Sequence, residues 1–245
     1  MITVTILTKN SARTLLATLE SLKEFPEVLI FDTGSTDKTL EIARRFPNVK
    51  IIETTFKGFG PSHNEASSLA AYDWILSLDS DEVLSKELAS EILKLSLNSA
   101  YLYRLNRENY FNGKHIKCCS GWYPDRIIRL YNRKKTSFSS AAVHEKIEEK
   151  DLQVKDLCYS IRHTPYLTIE DFLTKMQSYS TLFATQNKGK RKASIWTAIF
   201  HGVHAFFKSY VLKRGFMGGK EGFIISIYNG QTSFYKYLKL AQENK

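Results

Sequence analysis

Apolar residues in this chain fall into short runs separated by polar loops, and the period of those runs changes partway along. Thr3 to Thr8 (Thr-Val-Thr-Ile-Leu-Thr) is β-branched and apolar, as a buried strand requires, and Leu15, Leu16, Leu19 and Leu22 then recur at helical spacing. Pro26 closes that helix. Glu27 to Phe31 predicts a second strand, which stops at Asp32-Thr33-Gly34-Ser35-Thr36-Asp37. Ser35 or Thr36 is placed to cap the next helix, which runs through Leu40, Ile42 and Ala43 to Phe46. A third strand, Val49 to Glu53, is followed by a loop with glycines at 58 and 60 and a helix over residues 62–71. Trp74 to Leu78 reads as a fully buried parallel strand and ends abruptly in three carboxylates, Asp79, Asp81 and Glu82.

Beyond Leu97 the pattern becomes that of a mixed extension. Strands are predicted over residues 100–105, 126–131, 139–147 and 156–163, with turns at Asn112-Gly113 and residues 132–135. After Pro165 the chain turns helical: residues 169–185, 195–212 and 228–243, with Gly215, Gly218, Gly219 and Gly222 in the last link. Alternating strands and helices with short connections specify a parallel sheet covered on both faces. The fold class is therefore α/β, Rossmann-like in its N-terminal half, with a helical C-terminal appendage. The expected division is a nucleotide-binding and catalytic domain over residues 1–165 and a basic, aromatic-rich helical region over 166–245. No G-x-G-x-x-G follows the first strand, which argues against a nicotinamide or flavin cofactor.

Charge changes this picture in one place. Of a net +10, residues 151–245 carry 14 Lys and Arg against 6 Asp and Glu, so an anionic partner is expected there. No stretch reaches the ~18 uninterrupted apolar residues of a spanning helix. The longest approach, Ile195 to Phe207, holds His201 and His204. From residue 2 onward the chain reads as strand, not as a secretion signal, so a cytoplasmic protein is expected. Cys118, Cys119 and Cys158 make no paired framework and are expected to be reduced.

In an open α/β sheet, ligands bind outside the carboxyl ends of the strands. Thr8 and Asn10, then Asp32, Gly34, Ser35 and Asp37, then His63-Asn64-Glu65-Ala66, then Asp79-Ser80-Asp81-Glu82 all fall at such ends. A nucleotide laid across them would meet its base at Asp32 or Asn10 and its ribose at Asp79. Its diphosphate would be met through a cation on Asp81, and hard oxygen ligands suit Mg2+ or Mn2+.

Thr-Lys-Asn, Asp-Thr-Gly-Ser-Thr-Asp, His-Asn-Glu-Ala and Leu-Asp-Ser-Asp-Glu, in this order, resemble family 2 glycosyltransferases of the A-type fold. Through Tyr123-Pro124-Asp125-Arg126 and Val143-His144-Glu145 the chain is similar, nearly end to end, to bacterial lipopolysaccharide-core glucosyltransferases of that family. The resemblance implies metal-dependent, inverting transfer of a hexose, glucose foremost, from a nucleotide diphosphate sugar such as UDP-glucose to a lipid-anchored inner-core saccharide. By position it gives Asp81 to the metal, Asp79 to the ribose or metal and Asp32 to the base. Thr8, Asn10, Asn64, Arg126 and Arg129 are further expected donor contacts, read from their places on the strands and loops. Thr33 stands where many members have a second aspartate, which leaves the base open.

Inversion needs a carboxylate that takes the acceptor's proton. Glu145 is favoured, Asp125 is its rival, and Glu82 comes third. Arg126 and Arg129 point to opposite faces of a regular strand, so only one of them can meet a phosphate, with simple surface exposure as the alternative. His144 is read as a carboxylate-orienting or structural histidine, and Trp122 and Tyr123 as a sugar platform or core. The aromatic, basic C-terminal helices suggest peripheral attachment to the anionic inner face of the bacterial membrane, with a homo-oligomer interface as the alternative. A glycosyltransferase acting on a protein or peptide, a basic nucleic-acid-binding module and a non-catalytic scaffold are the competing readings. No nucleic-acid motif supports the second of the three, and no nucleic-acid partner is expected.

Overall fold

The computed structural model describes residues 1–140 and 145–244. The chain divides into two compact units, residues 1–107 with 126–163, and residues 108–125 with 164–245. The expected single cut near residue 165 misses the segment 108–125, whose apolar side chains build the second unit's core.

Among its described residues the first unit holds eight strands: β1 (Ile2–Thr8), β2 (Glu27–Asp32), β3 (Val49–Glu53), β4 (Trp74–Asp79), β5 (Glu82–Leu84), β6 (Tyr101–Phe111, which runs on into the second unit), β8 (Arg126–Asn132) and β9 (Gln153–His163). The two-residue β7 (Lys114–His115) pairs with the far end of β6 in the second unit. The order is β3-β2-β1-β4-β8-β6-β9-β5. The first four strands are mutually parallel, and β4–β8, β6–β8 and β5–β9 pair antiparallel. An α/β architecture with a helical C-terminal region is thus what the alternating pattern specified. Helices α1 (Leu15–Glu20), α2 (Thr39–Ala43) and α4 (Lys86–Lys94) cover one face, α3 (Phe59–Ser68) the other.

Side-chain alternation explains the layers. Val4, Ile6, Val28, Ile30, Leu76 and Leu78 pack with Leu15, Leu19, Leu22, Leu88 and Ile92. Leu29 and Phe31, pointing the other way, meet Ala66 of α3. The same alternation turns Ser77 toward α3, where its Oγ lies 3.2 Å from Nδ1 of buried His63. Of the expected strand over 139–147, the described residues show a bridge between Phe138 and Ile147, and residues 141–144 lie outside the described part. Ser35 and Thr36 do not cap α2, whose N-cap position is Lys38. Ser35 Oγ instead donates to Asp32, because that carboxylate organises the loop after β2.

In the second unit, Asn112 and Gly113 carry φ of 51° and 73° in the two-residue β6–β7 hairpin, the left-handed pair such a turn demands. Phe111, Ile116, Trp122, Tyr166, Phe172 and Ile225 form the core, so Trp122 is a packing residue, while Tyr123 is exposed. The helices are α5 (Ile169–Asn187), α6 (Ile195–Phe207, extended by a π turn Lys208–Leu212) and α7 (Gly219–Glu243). A 3-10 turn, Gly215–Gly218, precedes α7. Helix α5 starts with a capping box of Thr168 and Asp171. Helix α7 begins nine residues before the position that periodicity indicates. Its glycines are contact sites, not a link: a Cβ on Gly222 would stand 1.9 Å from the Gly215 carbonyl oxygen, and one on Gly230 3.1 Å from that of Gly202.

Gly222→Ala should therefore destabilise the chain by about 2 kcal/mol, a typical cost of overpacking. That corresponds to roughly 4–8 °C in Tm for a chain of this size. Gly202→Ala, where a Cβ would meet Phe234 Cβ at 3.0 Å, should lower Tm by less. Calorimetry giving the reverse order would refute this account of the α6–α7 and turn contacts.

Candidate active site

The carboxyl ends of β4 and β9 meet at one corner through β5. Glu82 opens β5 directly opposite His163, the last residue of β9. Asp79 closes β4, and its backbone N–H donates to Glu82 Oε2 at 3.0 Å. Asp81 lies in the turn between, with Oδ1 3.5 Å from His163 Nε2. Thr18 Oγ1 donates to the Ser80 carbonyl at 3.0 Å and Ser80 Oγ to Ser11 Oγ at 2.9 Å, which fixes the turn.

Two arginines hold the acidic corner together. Arg129 donates from one terminal nitrogen to Asp79 Oδ2 and to Glu82 Oε1, the latter at 2.6 Å. Arg107 reaches the same Glu82 oxygen at 3.1 Å and Asp79 Oδ2 at 3.5 Å. Arg129 gets there through a β-bulge. Tyr103 pairs with Leu130 but Arg104 with Ile128, so Arg129 is the extra residue and its side chain is re-aimed. Arg126, the strand's first residue, is exposed.

Burial works against the charge of Asp79, yet Arg129 and Arg107 outweigh it and hold this carboxyl well below the usual range. Burial pushes Glu82 the other way, upward, despite the guanidinium of Arg129, with the charge of Asp79 adding to the rise. Glu82 is fully buried with both oxygens engaged, which removes it as a base. Asp79, Asp81 and His163 keep 41%, 20% and 11% of their side-chain surface.

The other expected contacts are distributed as follows. Asp32 accepts from Thr8 Oγ1 (3.0 Å), from the Gly34 and Ser35 N–H groups (3.0 and 2.8 Å) and from Ser35 Oγ. Asn10 Oδ1 accepts from the Thr36 N–H at 2.8 Å, so the loops after β1 and β2 are tied to each other. Asn64 clamps the backbone of Phe138 with both ends of its amide, at 2.9 and 2.8 Å. Asp125 belongs to the second unit, where Asn109 donates to it at 2.9 Å. Glu145 is half-buried. His144 lies outside the described residues.

Residues the sequence reading missed are His163, Arg107 and the true position of Arg129. The available signal for His163 was its place at the end of a β-rich run, just before Pro165. Among the described residues, ligand atoms of Asp79, Glu82 and His163 lie within 4.8 Å of one another. Carboxylates with one imidazole fit a divalent ion that accepts oxygen and nitrogen. Both oxygens of Glu82 are engaged, Asp79 is paired through Oδ2, and Asp81 lies 3.5 Å from His163, so Asp79, Asp81 and His163 are the residues that would hold it.

The sequence profile described as "Glycosyl transferase family 2" matches residues 3–140. A Rickettsia felis protein described as an uncharacterized glycosyltransferase is 29% identical, across 97% of this chain and 87% of its own length. The lipopolysaccharide core biosynthesis glycosyltransferase LpsC of Rhizobium meliloti is 26% identical, across 92% of this chain and 86% of LpsC. Among solved structures, Staphylococcus aureus TarS 1–349 aligns with a TM-score of 0.48 at 18% identity, covering 99% of this chain and 88% of that one.

His63 lies below this corner, 2% exposed and stacked on Phe138 with ring centroids 4.4 Å apart. Burial pushes its pKa from 6.5 down to about 4, with Asp79 pulling upward and Arg129 downward. The stability contributed by the neutral ring is therefore complete above pH 6.5 and lost as pH falls from there to about 4. The span is worth about 3 kcal/mol. Denaturant titrations at pH 7, 5.5 and 4 should show His63→Gln with a flatter pH profile than the parent. Parallel profiles would show that another group carries the acid sensitivity.

Proposed function

The chain belongs to glycosyl transferase family 2, and on that footing we propose that it transfers a hexose, glucose foremost, from a nucleoside diphosphate with inversion. UDP is the favoured carrier, and the acceptor is a lipid-anchored inner-core saccharide presented at the cytoplasmic face of the membrane. One observation carries the reading: Asp79, Asp81 and His163 converge at strand ends, braced from behind by Arg129 and Arg107. The relative named for lipopolysaccharide core biosynthesis supports the choice of acceptor.

Asp81 and His163, with Asp79, would hold Mn2+ or Mg2+. When bound, the ion neutralises charge on the diphosphate, so the leaving group needs no protonation. Arg129 and Arg107 keep Asp79 ionised and Glu82 in place, so the site is preorganised before the donor arrives. Asp32, Thr8 and Asn64 act by shaping the rim, since their polar groups are already bonded within the fold. Asn10, exposed but with its Oδ1 already held by Thr36, and the turn around Gly34 would face the base, and exposed Arg126 would approach a phosphate. The acceptor hydroxyl attacks the anomeric carbon opposite the diphosphate. A carbon–oxygen bond forms as the sugar–phosphate bond breaks, and the hydroxyl proton passes to Glu145, with Asp125 the second candidate. The resemblance to the family supports that pair, because it puts the base in this part of the chain.

Asp81→Ala and His163→Ala should each lower transfer at least ~100-fold, beyond the roughly 10–100-fold that an outer-shell partner is worth. Both should also abolish Mn2+-dependent binding of the nucleoside diphosphate by calorimetry. Wild-type transfer rates in either variant would refute the site.

A further inference from the structure

The 49 residues from Phe172 to Lys220 contain nine Lys and Arg and no Asp or Glu. Within them, α6 is packed inside out. Its buried positions are the small residues Ala198 and Gly202, and Gly202 lies close to Gly230 and Phe234 of α7. Its bulky residues are outside: Trp196 is 75% exposed, Phe200 67%, Val203 64% and Phe207 48%. The spacing of four, three and four puts these side chains on one line along the helix. The apolar strip continues through Val211 and Leu212 of the π turn and on to Met217 beyond it, all exposed. A helix that merely covered a core would present the opposite distribution.

Positive charge surrounds this strip. Lys190, Arg191 and Lys192 stand just before the Ser194 N-cap, and Lys208, Lys213 and Arg214 lie at the other end, all exposed. No described helix is long and apolar enough to cross a membrane. The remaining way to cover such a face with lipid is to lie in the headgroup layer, rings inward and cations at the phosphates.

We infer that the exposed face of α6, Trp196-Phe200-Val203-Phe207 with its flanking lysines and arginines, docks on an anionic lipid bilayer. Charge complementarity selects this occupant. A second copy of the chain would bring the same unneutralised cations against themselves, whereas anionic headgroups neutralise both clusters. Docking here requires no sugar nucleotide, so it stands or falls apart from the transfer reaction. It would also hold the chain where an acceptor anchored in lipid is met.

The test uses the full chain and vesicles of phosphatidylcholine with or without phosphatidylglycerol, with no nucleotide present. Sedimentation should show at least ~10-fold stronger partition onto the anionic vesicles, weakened by salt. Trp196→Ser with Phe200→Ser should lower that partition at least ~10-fold. Bromine-labelled acyl chains should quench tryptophan emission in the parent and not in Trp196→Phe, which reports insertion even if the double variant folds poorly. Equal partition onto neutral vesicles, or no loss in the double variant, would overturn the proposal. So would self-association that the same substitutions abolish in a chain that ignores vesicles.

Discussion

Two carboxylates stand side by side at the mouth of the sheet because the guanidinium of Arg129 lies between them. Removing one partner of a buried ion cluster leaves an uncompensated charge, which commonly costs several kcal/mol, so the cluster persists only complete. Arg107 adds a second cation on the same oxygens. The consequence for chemistry is a division of labour. Glu82 is consumed in holding the corner, and the part-exposed Asp79 and Asp81 are left beside the buried His163 at fixed positions.

This corner rests on backbone events that position the arginine and the histidine. The bulge at Arg129 turns a side chain that regular alternation would send elsewhere, and the β5–β9 register sets Glu82 opposite His163. The loops after β1 and β2 contribute in a different way. There Asp32 gathers hydroxyl and backbone donors into one knot, and Asn10 ties that knot to the preceding loop. Polar residues at strand ends thus serve two purposes, and only some are left to meet a ligand.

The parallel core was legible in the sequence because each buried strand is a short apolar run that stops at a polar loop. β1 through β4 and the polar residues at their ends follow from that pattern alone. The rest depends on pairing between distant segments. Nothing local in Arg126-Ile127-Ile128-Arg129 announces a bulge, and Glu82-Val83-Leu84 is too short to read as a strand before its partner β9 is known. Arg107 escaped because β6 runs well past the residues whose composition marks it. In the second unit, Gly215 and Gly222, which punctuate a loop in isolation, turned out to line a close contact with each other. The side chain of Trp122 went to the core, stacking on Tyr166 and Phe172.

The central claim is that the ends of β4 and β9 together grip a divalent ion beneath a sugar nucleotide's diphosphate. Anomalous diffraction from a crystal grown with Mn2+ and a nucleoside diphosphate tests it most directly. The account predicts a single manganese peak in coordination distance of Asp81 and His163, with the diphosphate on its far side. A peak seated elsewhere, or a diphosphate ordered at another edge of the sheet, would contradict it.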